Sequence, residues 1–88
     1  MSRIFFENDA LEEYIYWQNQ DRKTLKRINA LLKDIQRNPY DGIGKPEILK
    51  HDLTGLWSRR IDDNNRILYE IINEDIRIVH CKTHYKDK

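Results

Sequence analysis

The chain has 88 residues, with 16 basic side chains against 15 acidic ones and a single cysteine, Cys81. That length suits one domain, residues 1–88, with a modest core. A membrane-spanning helix is excluded, because no stretch approaches roughly 18 apolar residues, and so is an internal disulfide. The near-neutral total hides an uneven distribution. Residues 1–21 carry one basic and five acidic side chains, residues 22–61 ten and four, and residues 62–88 five and six. A basic middle segment fits an anionic partner met by one face; it also fits an ordinary solvated helix surface. Met1-Ser2-Arg3-Ile4 lacks the apolar run of a signal peptide, so a cytoplasmic protein is expected.

Ile4-Phe5-Phe6 reads as a first strand. Asp9 followed by Glu12 fits a capping box, and a first helix is expected from about Ala10 to Gln18. Leu11, Tyr14, Ile15 and Gln18 share one of its faces, with Trp17 beside Tyr14 and Ala10. Asp21 caps a second helix, in which Leu25, Ile28, Leu32 and Ile35 form an apolar stripe. Lys23, Lys26, Arg27, Lys33 and Arg37 lie off that stripe. Asn38-Pro39 ends the helix, because the residue before proline is pushed out of the α region.

Residues 38–46 hold both prolines and two of the three glycines and read as a loop. Strands are expected near 47–51, 56–61, 66–72 and 76–82, with turns at 52–55, 62–65 and 73–75. Helices first and hairpins after imply an α+β fold: two helices on one face of a mostly antiparallel sheet of four to five strands. A register with Arg60 opposite Arg66 gathers Trp57, Ile61, Ile67, Tyr69 and Ile71 on one face, with Arg59 among them. Ser58, Arg60, Arg66, Leu68 and Glu70 take the other. Two opposed arginines are unfavourable; either an anion sits between them or they splay apart. On strand 76–82, Ile78 and His80 compete with Val79 and Cys81 for the core side.

Glu47, Lys50, Arg60, Arg66, His84 and Tyr85 are the residues with chemistry to offer. RNA can be cut with its own 2′-hydroxyl as nucleophile. The enzyme then needs a base for that hydroxyl, fixed positive charge for the phosphorane, and an acid for the departing 5′-oxygen. A carboxylate or imidazole serves as base, arginine matches phosphate oxygens, and histidine titrates nearest neutrality. Each has a plainer role available: Glu47 as a solvated glutamate opening a strand, His84 as an idle terminal residue. His51 and His80 read as surface or core-edge residues, Cys81 and Trp57 as core. Three histidines without ligand spacing argue against a zinc site.

Several runs occur in order: Tyr14-Ile15-Tyr16-Trp17-Gln18, Lys26-Arg27-Ile28-Asn29, and Gly42-Ile43-Gly44-Lys45-Pro46-Glu47. They are followed by Leu49-Lys50-His51-Asp52-Leu53-Thr54-Gly55-Leu56-Trp57-Ser58-Arg59-Arg60-Ile61, by Arg66-Ile67-Leu68-Tyr69, and by His84-Tyr85. Together they resemble the YoeB/Txe toxins of the RelE/ParE superfamily, from about Ile4 to Tyr85. The resemblance implies a RelE-type, microbial ribonuclease-like fold. It implies a type II toxin acting as a ribosome-dependent messenger-RNA endoribonuclease that cuts in the A site, with no metal or cofactor. By the same resemblance Glu47 is the general base, His84 the general acid and Arg66 the transition-state stabiliser. Lys50, Arg60 and Tyr85 hold or stack on the RNA.

The partners so implied are a Phd/YefM-type antitoxin, the ribosome and messenger RNA. Promoter DNA is met only through the antitoxin complex, and a homodimer is a further expectation. The tail Lys86-Asp87-Lys88 departs from the family pattern, which commonly stops at the His-Tyr pair. Two other readings stand beside this one: a non-catalytic gyrase inhibitor like the ParE branch, which lacks the Glu–His pair, and a nucleic-acid-binding module without chemistry.

Overall fold

The computed structural model describes residues 2–83. Strand β1 (Ile4–Phe6) leads into helices α1 (Asn8–Gln20) and α2 (Arg22–Arg37). Strands β2 (Glu47–Ile48), β3 (Trp57–Arg60), β4 (Arg66–Ile72) and β5 (Asp75–Thr83) follow. They form one sheet in the order β1-β5-β4-β3-β2, with only the β1–β5 pair parallel. Both helices lie on one face, where Ala10, Trp17, Ile28, Leu31 and Ile35 meet Ile61, Ile67, Tyr69, Ile76, Ile78 and Cys81 in a single core. The expected α+β architecture is therefore the observed one.

The helix starts follow different rules. Asp21 caps α2 as expected, its carboxylate accepting the N–H groups of Lys23 and Thr24 at 3.1 Å. At α1 the expected Asp9–Glu12 capping box does not form. The chain leaves β1 and enters the helix within one residue. Glu7 is the cap position and makes no side-chain cap bond. Its N–H instead extends the ladder to Ile78 O at 3.0 Å, and its carboxylate takes Arg77 at 2.8 Å. The buried face of α1 also differs from Leu11–Ile15, both of which are 45% exposed. Ala10 and Trp17, seven residues apart, point inward, and the Trp17 indole N–H donates to Cys81 O at 2.9 Å. Burying the largest ring outweighs burying two smaller aliphatic groups. In α2, Leu31 is fully buried where Leu32 was expected, because the arc Ile28–Leu31–Ile35 faces the sheet.

Two strands are shorter than expected. Strand β2 stops at Ile48, since His51 takes φ 59° and opens a 3₁₀ turn over His51–Leu53. The hairpin still closes, with Leu49 N–H bonded to Leu56 O at 2.9 Å. Strand β3 covers Trp57–Arg60, and its register with β4 sets Arg60 opposite Arg66 as expected. On β5 both contending sets reach the core in turn. Tyr69 pairs with Ile78 but Leu68 with His80, so Val79 is an extra residue in the ladder. A bulge of this kind breaks the two-residue alternation. A second shift lies between Leu68 and Arg66. Ile76, Ile78 and Cys81 are consequently all buried. Burial, and secondarily the negative charge of Glu13, pushes the Cys81 thiol up to about 12.

Arg59 is fully buried on the helix side of β3. Its Nε donates to the Tyr69 hydroxyl at 3.1 Å. One terminal nitrogen donates to Asp34 and to Ile43 O, the other to Asn38 O and Asp41 O. All five guanidinium N–H groups are thus used. Tyr69 in turn donates to Pro39 O at 2.6 Å, and Asp34 also accepts the Ile43 N–H at 3.0 Å. The 38–46 loop has no regular structure of its own, and this one side chain satisfies three of its carbonyls. Gly42, at φ +131°, leaves room for the cluster: a Cβ there would sit 2.0 Å from the Asp34 carboxylate. Gly44, at φ +80°, lets the loop close on β3, with Arg60 N–H reaching Gly44 O at 2.7 Å.

The Arg59 guanidinium, and then the Ile43 N–H, hold the Asp34 carboxyl below the usual carboxylate range. Its contribution to stability is therefore complete above the unfolded value, at about pH 4, and is lost as pH falls through the depressed one. Asp34→Ala leaves a buried guanidinium without its counter-ion, which costs about 3 kcal/mol at neutral pH. Urea unfolding of the two chains should show that gap, and the gap should narrow as the solution is acidified below about pH 4.

Candidate active site

Alternation along the strands carries a second set of side chains to the sheet face away from the helices. In register across that face lie Glu47 on β2, Ser58 on β3 and Leu68 on β4, with His80 beyond on β5. The neighbouring row is Arg60, Arg66 and Thr83. Arg66 reaches back across β3. One of its terminal nitrogens donates to Glu47 Oε1 at 3.0 Å and to Ser58 Oγ at 3.2 Å. Ser58 is wholly buried, so its hydroxyl is a fixed acceptor. The Glu47 side chain is half exposed and that of Arg66 is 29% exposed, so the pair is bound yet open to solvent.

Arg60 turns the other way, onto Asp63 in the β3–β4 turn at 2.5 Å. The two opposed arginines thus splay apart, each onto a carboxylate of the chain. Arg60 is tied from behind as well, because Arg27 of α2 donates to its carbonyl at 3.1 Å. Lys50 is exposed at the head of the 3₁₀ turn, and its ammonium has no partner among the described residues. Glu47, Arg66 and Arg60 therefore share the end of one sheet face, with Lys50 just beyond β2. His84 and Tyr85 lie outside the described residues. Thr83, the residue before His84, is paired directly with Arg66.

The register of the hairpin puts Ser58 on the face of Arg66 but does not mark it as the partner of that guanidinium. A serine on a strand has no distinguishing sequence signal. Other cations on or beside the sheet are committed elsewhere: Arg77 to Glu7 and Glu70, Arg3, just before β1, to Asp75, and Lys82 to the face of the Tyr16 ring. Glu13 of α1 accepts the Cys81 N–H at 2.7 Å and contacts His80 Nδ1 at 3.1 Å, joining α1 to the last strand. Among the described residues no group of three or more His, Cys, Asp and Glu is arranged to hold a metal ion. None of the described helices is long and apolar enough to cross a membrane.

A family model of the YoeB-like toxin of bacterial type II toxin–antitoxin systems matches residues 6–85. The chain belongs to the YoeB toxin family. Toxin YoeB of Streptomyces coelicolor is 49% identical over 83 residues, covering 94% of this chain and 99% of the relative. A YoeB/ParE toxin from Agrobacterium tumefaciens superposes with a TM-score of 0.92 at 33% identity, over 94% of this chain and 99% of that one. The toxin of a YoeB–YefM complex from Staphylococcus aureus gives 0.87 at 46% identity, over 97% and 99%. A YoeB dimer from the same organism gives 0.87 at 48%, over 96% and 98%. Membership makes this chain a toxin of a type II toxin–antitoxin system.

An ion pair as exposed as Glu47–Arg66 contributes little to folding, typically under about 1 kcal/mol. Glu47→Ala is accordingly expected to unfold in urea within about 1 kcal/mol of the parent, with unchanged circular dichroism. A larger drop would show Glu47 to be structural.

Proposed function

We propose that the chain, as one domain over residues 1–88, is a ribosome-dependent messenger-RNA endoribonuclease that works by general acid–base catalysis in the ribosomal A site. The observation that carries the reading is the Glu47–Arg66 contact on an open sheet face, next to the strand end from which His84 follows. In this mechanism Glu47 removes the proton of the 2′-hydroxyl. The 2′-oxygen bonds to phosphorus while the P–O5′ bond breaks. Arg66, oriented by Glu47 and Ser58, offers its remaining N–H groups to the phosphorane oxygens. His84 protonates the departing 5′-oxygen. The products are a 2′,3′-cyclic phosphate and a 5′-hydroxyl end, and no outside reactant is consumed.

Lys50 and Arg60 hold flanking phosphates in this scheme, and Tyr85 stacks on a base. Arg60 exchanges Asp63 for phosphate, which is inexpensive for so exposed a pair. An antitoxin of the YefM kind is the proposed inhibitor, as in the S. aureus complex, and promoter DNA is met only through it. A homodimer is proposed on the S. aureus example, and the cytoplasm is the proposed compartment.

Purified protein with ribosomes is expected to cut messenger RNA in the presence of EDTA. Glu47→Ala and His84→Ala should each lower the rate by about 10²–10⁴-fold. Arg66→Ala should cost several kcal/mol at most. The products are read by primer extension. Undiminished cutting by the Glu47→Ala, His84→Ala double variant would remove the mechanism, and poisoning of gyrase supercoiling without RNA cleavage would replace it.

A further inference from the structure

Strand β5 outlasts its neighbour β1. The parallel pairing runs from Ile4–Ile76 to Phe6–Ile78, and the Glu7 N–H closes it on Ile78 O at 3.0 Å. There the chain turns into α1. From Val79 onward β5 has no strand on that side among the described residues. Its pairing with β4 is broken over the same stretch. Val79 is extra between the Tyr69–Ile78 and Leu68–His80 pairs. Cys81 and Lys82 together oppose Ile67, between Leu68–His80 and Arg66–Thr83. Ladder bonds by themselves therefore do not fix the course of residues 79–82.

Helix α1 supplies the missing hold. The Cys81 N–H donates to Glu13 Oε1 at 2.7 Å, and Cys81 O accepts the Trp17 indole N–H at 2.9 Å. Both peptide groups of one residue are thus taken by side chains one helical turn apart. The Cys81 thiol meets Ala10 O at 3.5 Å. The second oxygen of Glu13 contacts His80 Nδ1 at 3.1 Å, so one carboxylate grips two successive residues. Lys82 lies over the Tyr16 ring, 4.6 Å from its centre. Cys81 is fully buried, so water cannot replace Glu13 as the partner of its N–H.

Two residues further on, Thr83 pairs with Arg66, and His84 follows in the sequence. We propose that Glu13 is a positioning residue for the cleavage: with Trp17, its clasp on Cys81 sets where the end of β5 delivers the general acid to Glu47 and Arg66. The proposal rests on the assignment of His84 as that acid. From Cys81 to His84 is three residues, at most about 10 Å of chain. A change of course at Cys81 is carried to the acid over that short span. Misplacing a catalytic group by about 1 Å costs about 10²-fold in rate.

Leaving-group chemistry separates placing an acid from merely holding the fold. An RNA is made with sulfur in place of O5′ at the linkage that the parent protein cuts. The 2′-oxygen again bonds to phosphorus, and the P–S bond breaks to release a thiolate. A thiol is far more acidic than an alcohol, so the thiolate departs without a proton. Single-turnover cutting on ribosomes is measured for the oxygen and sulfur RNAs with one sample of each variant. The ratio of the two rates is indifferent to the fraction of protein folded.

His84→Ala and Glu13→Ala should both raise the sulfur-to-oxygen ratio, the latter on the order of tenfold, by slowing the oxygen RNA alone. The ribosome concentration giving half the maximal rate should not change. Glu13→Gln keeps an oxygen for the Cys81 N–H and should restore most of the rate. Trp17→Phe keeps a ring and loses the N–H, and should move the ratio the same way; it decides the matter if Glu13→Ala does not fold. A raised ratio for His84→Ala with flat ratios for Glu13→Ala and Trp17→Phe would overturn the clasp alone. So would Glu13→Gln as impaired as Glu13→Ala. A flat ratio for His84→Ala, or no cutting by the parent, would sink the acid assignment and this proposal with it.

Discussion

One buried guanidinium organises the middle of this molecule. Arg59 spends all five of its N–H groups on Asp34 of α2, the Tyr69 hydroxyl of β4 and three carbonyls of the 38–46 loop. A charge withdrawn from water is tolerated only where its partners are this complete. The loop would otherwise leave those carbonyls unsatisfied against the core. Its prolines and glycines give it shape, but the cluster gives it a position. Glu47 begins β2 directly after this loop, so the cluster also sets where that carboxylate enters the sheet.

The candidate site inherits its geometry from the sheet. Pairing of β2, β3 and β4 places Glu47, Ser58 and Arg66 close enough for one guanidinium nitrogen to touch both partners. The same alternation that hides Ile67 and Tyr69 among the helices turns Arg66 and Ser58 to the other face. Stability and chemistry are thereby divided between two faces of one sheet. The bulges on β5 keep both demands compatible, since Ile78 and Cys81 stay buried while Thr83 still lines up with Arg66.

The same division extends outward. The helix layer covers the core with its apolar arc and leaves a line of uncompensated cations on the far side. The sheet's arginines are each bound to a carboxylate, whereas Arg22, Lys26, Lys33 and Arg37 of α2 are in no ion pair among the described residues. In a chain whose charges nearly cancel, that segregation is a stronger statement than net charge could make.

The order and kind of the strands and helices, the Asp21 cap, the end of α2 at Asn38-Pro39 and the register of the central hairpin are all legible in the residues. Those follow from local propensity, proline geometry and a two-residue period, all of which act over a few neighbours. The residues also mark Glu47 and Arg66, though as members of a family pattern and not as a contact. Tertiary structure alone decided the rest. Trp17 displaced Leu11 and Ile15 from the core because a distant carbonyl, that of Cys81, accepts its indole N–H. The capping box was lost because β1 feeds α1 without a linker. Burial of both Ile78 and Cys81 needed a bulge that no alternation can announce. Arg59 looked like an odd member of an apolar face. Its five partners lie between 10 and 25 residues away along the chain, a separation at which only the folded arrangement can bring them together.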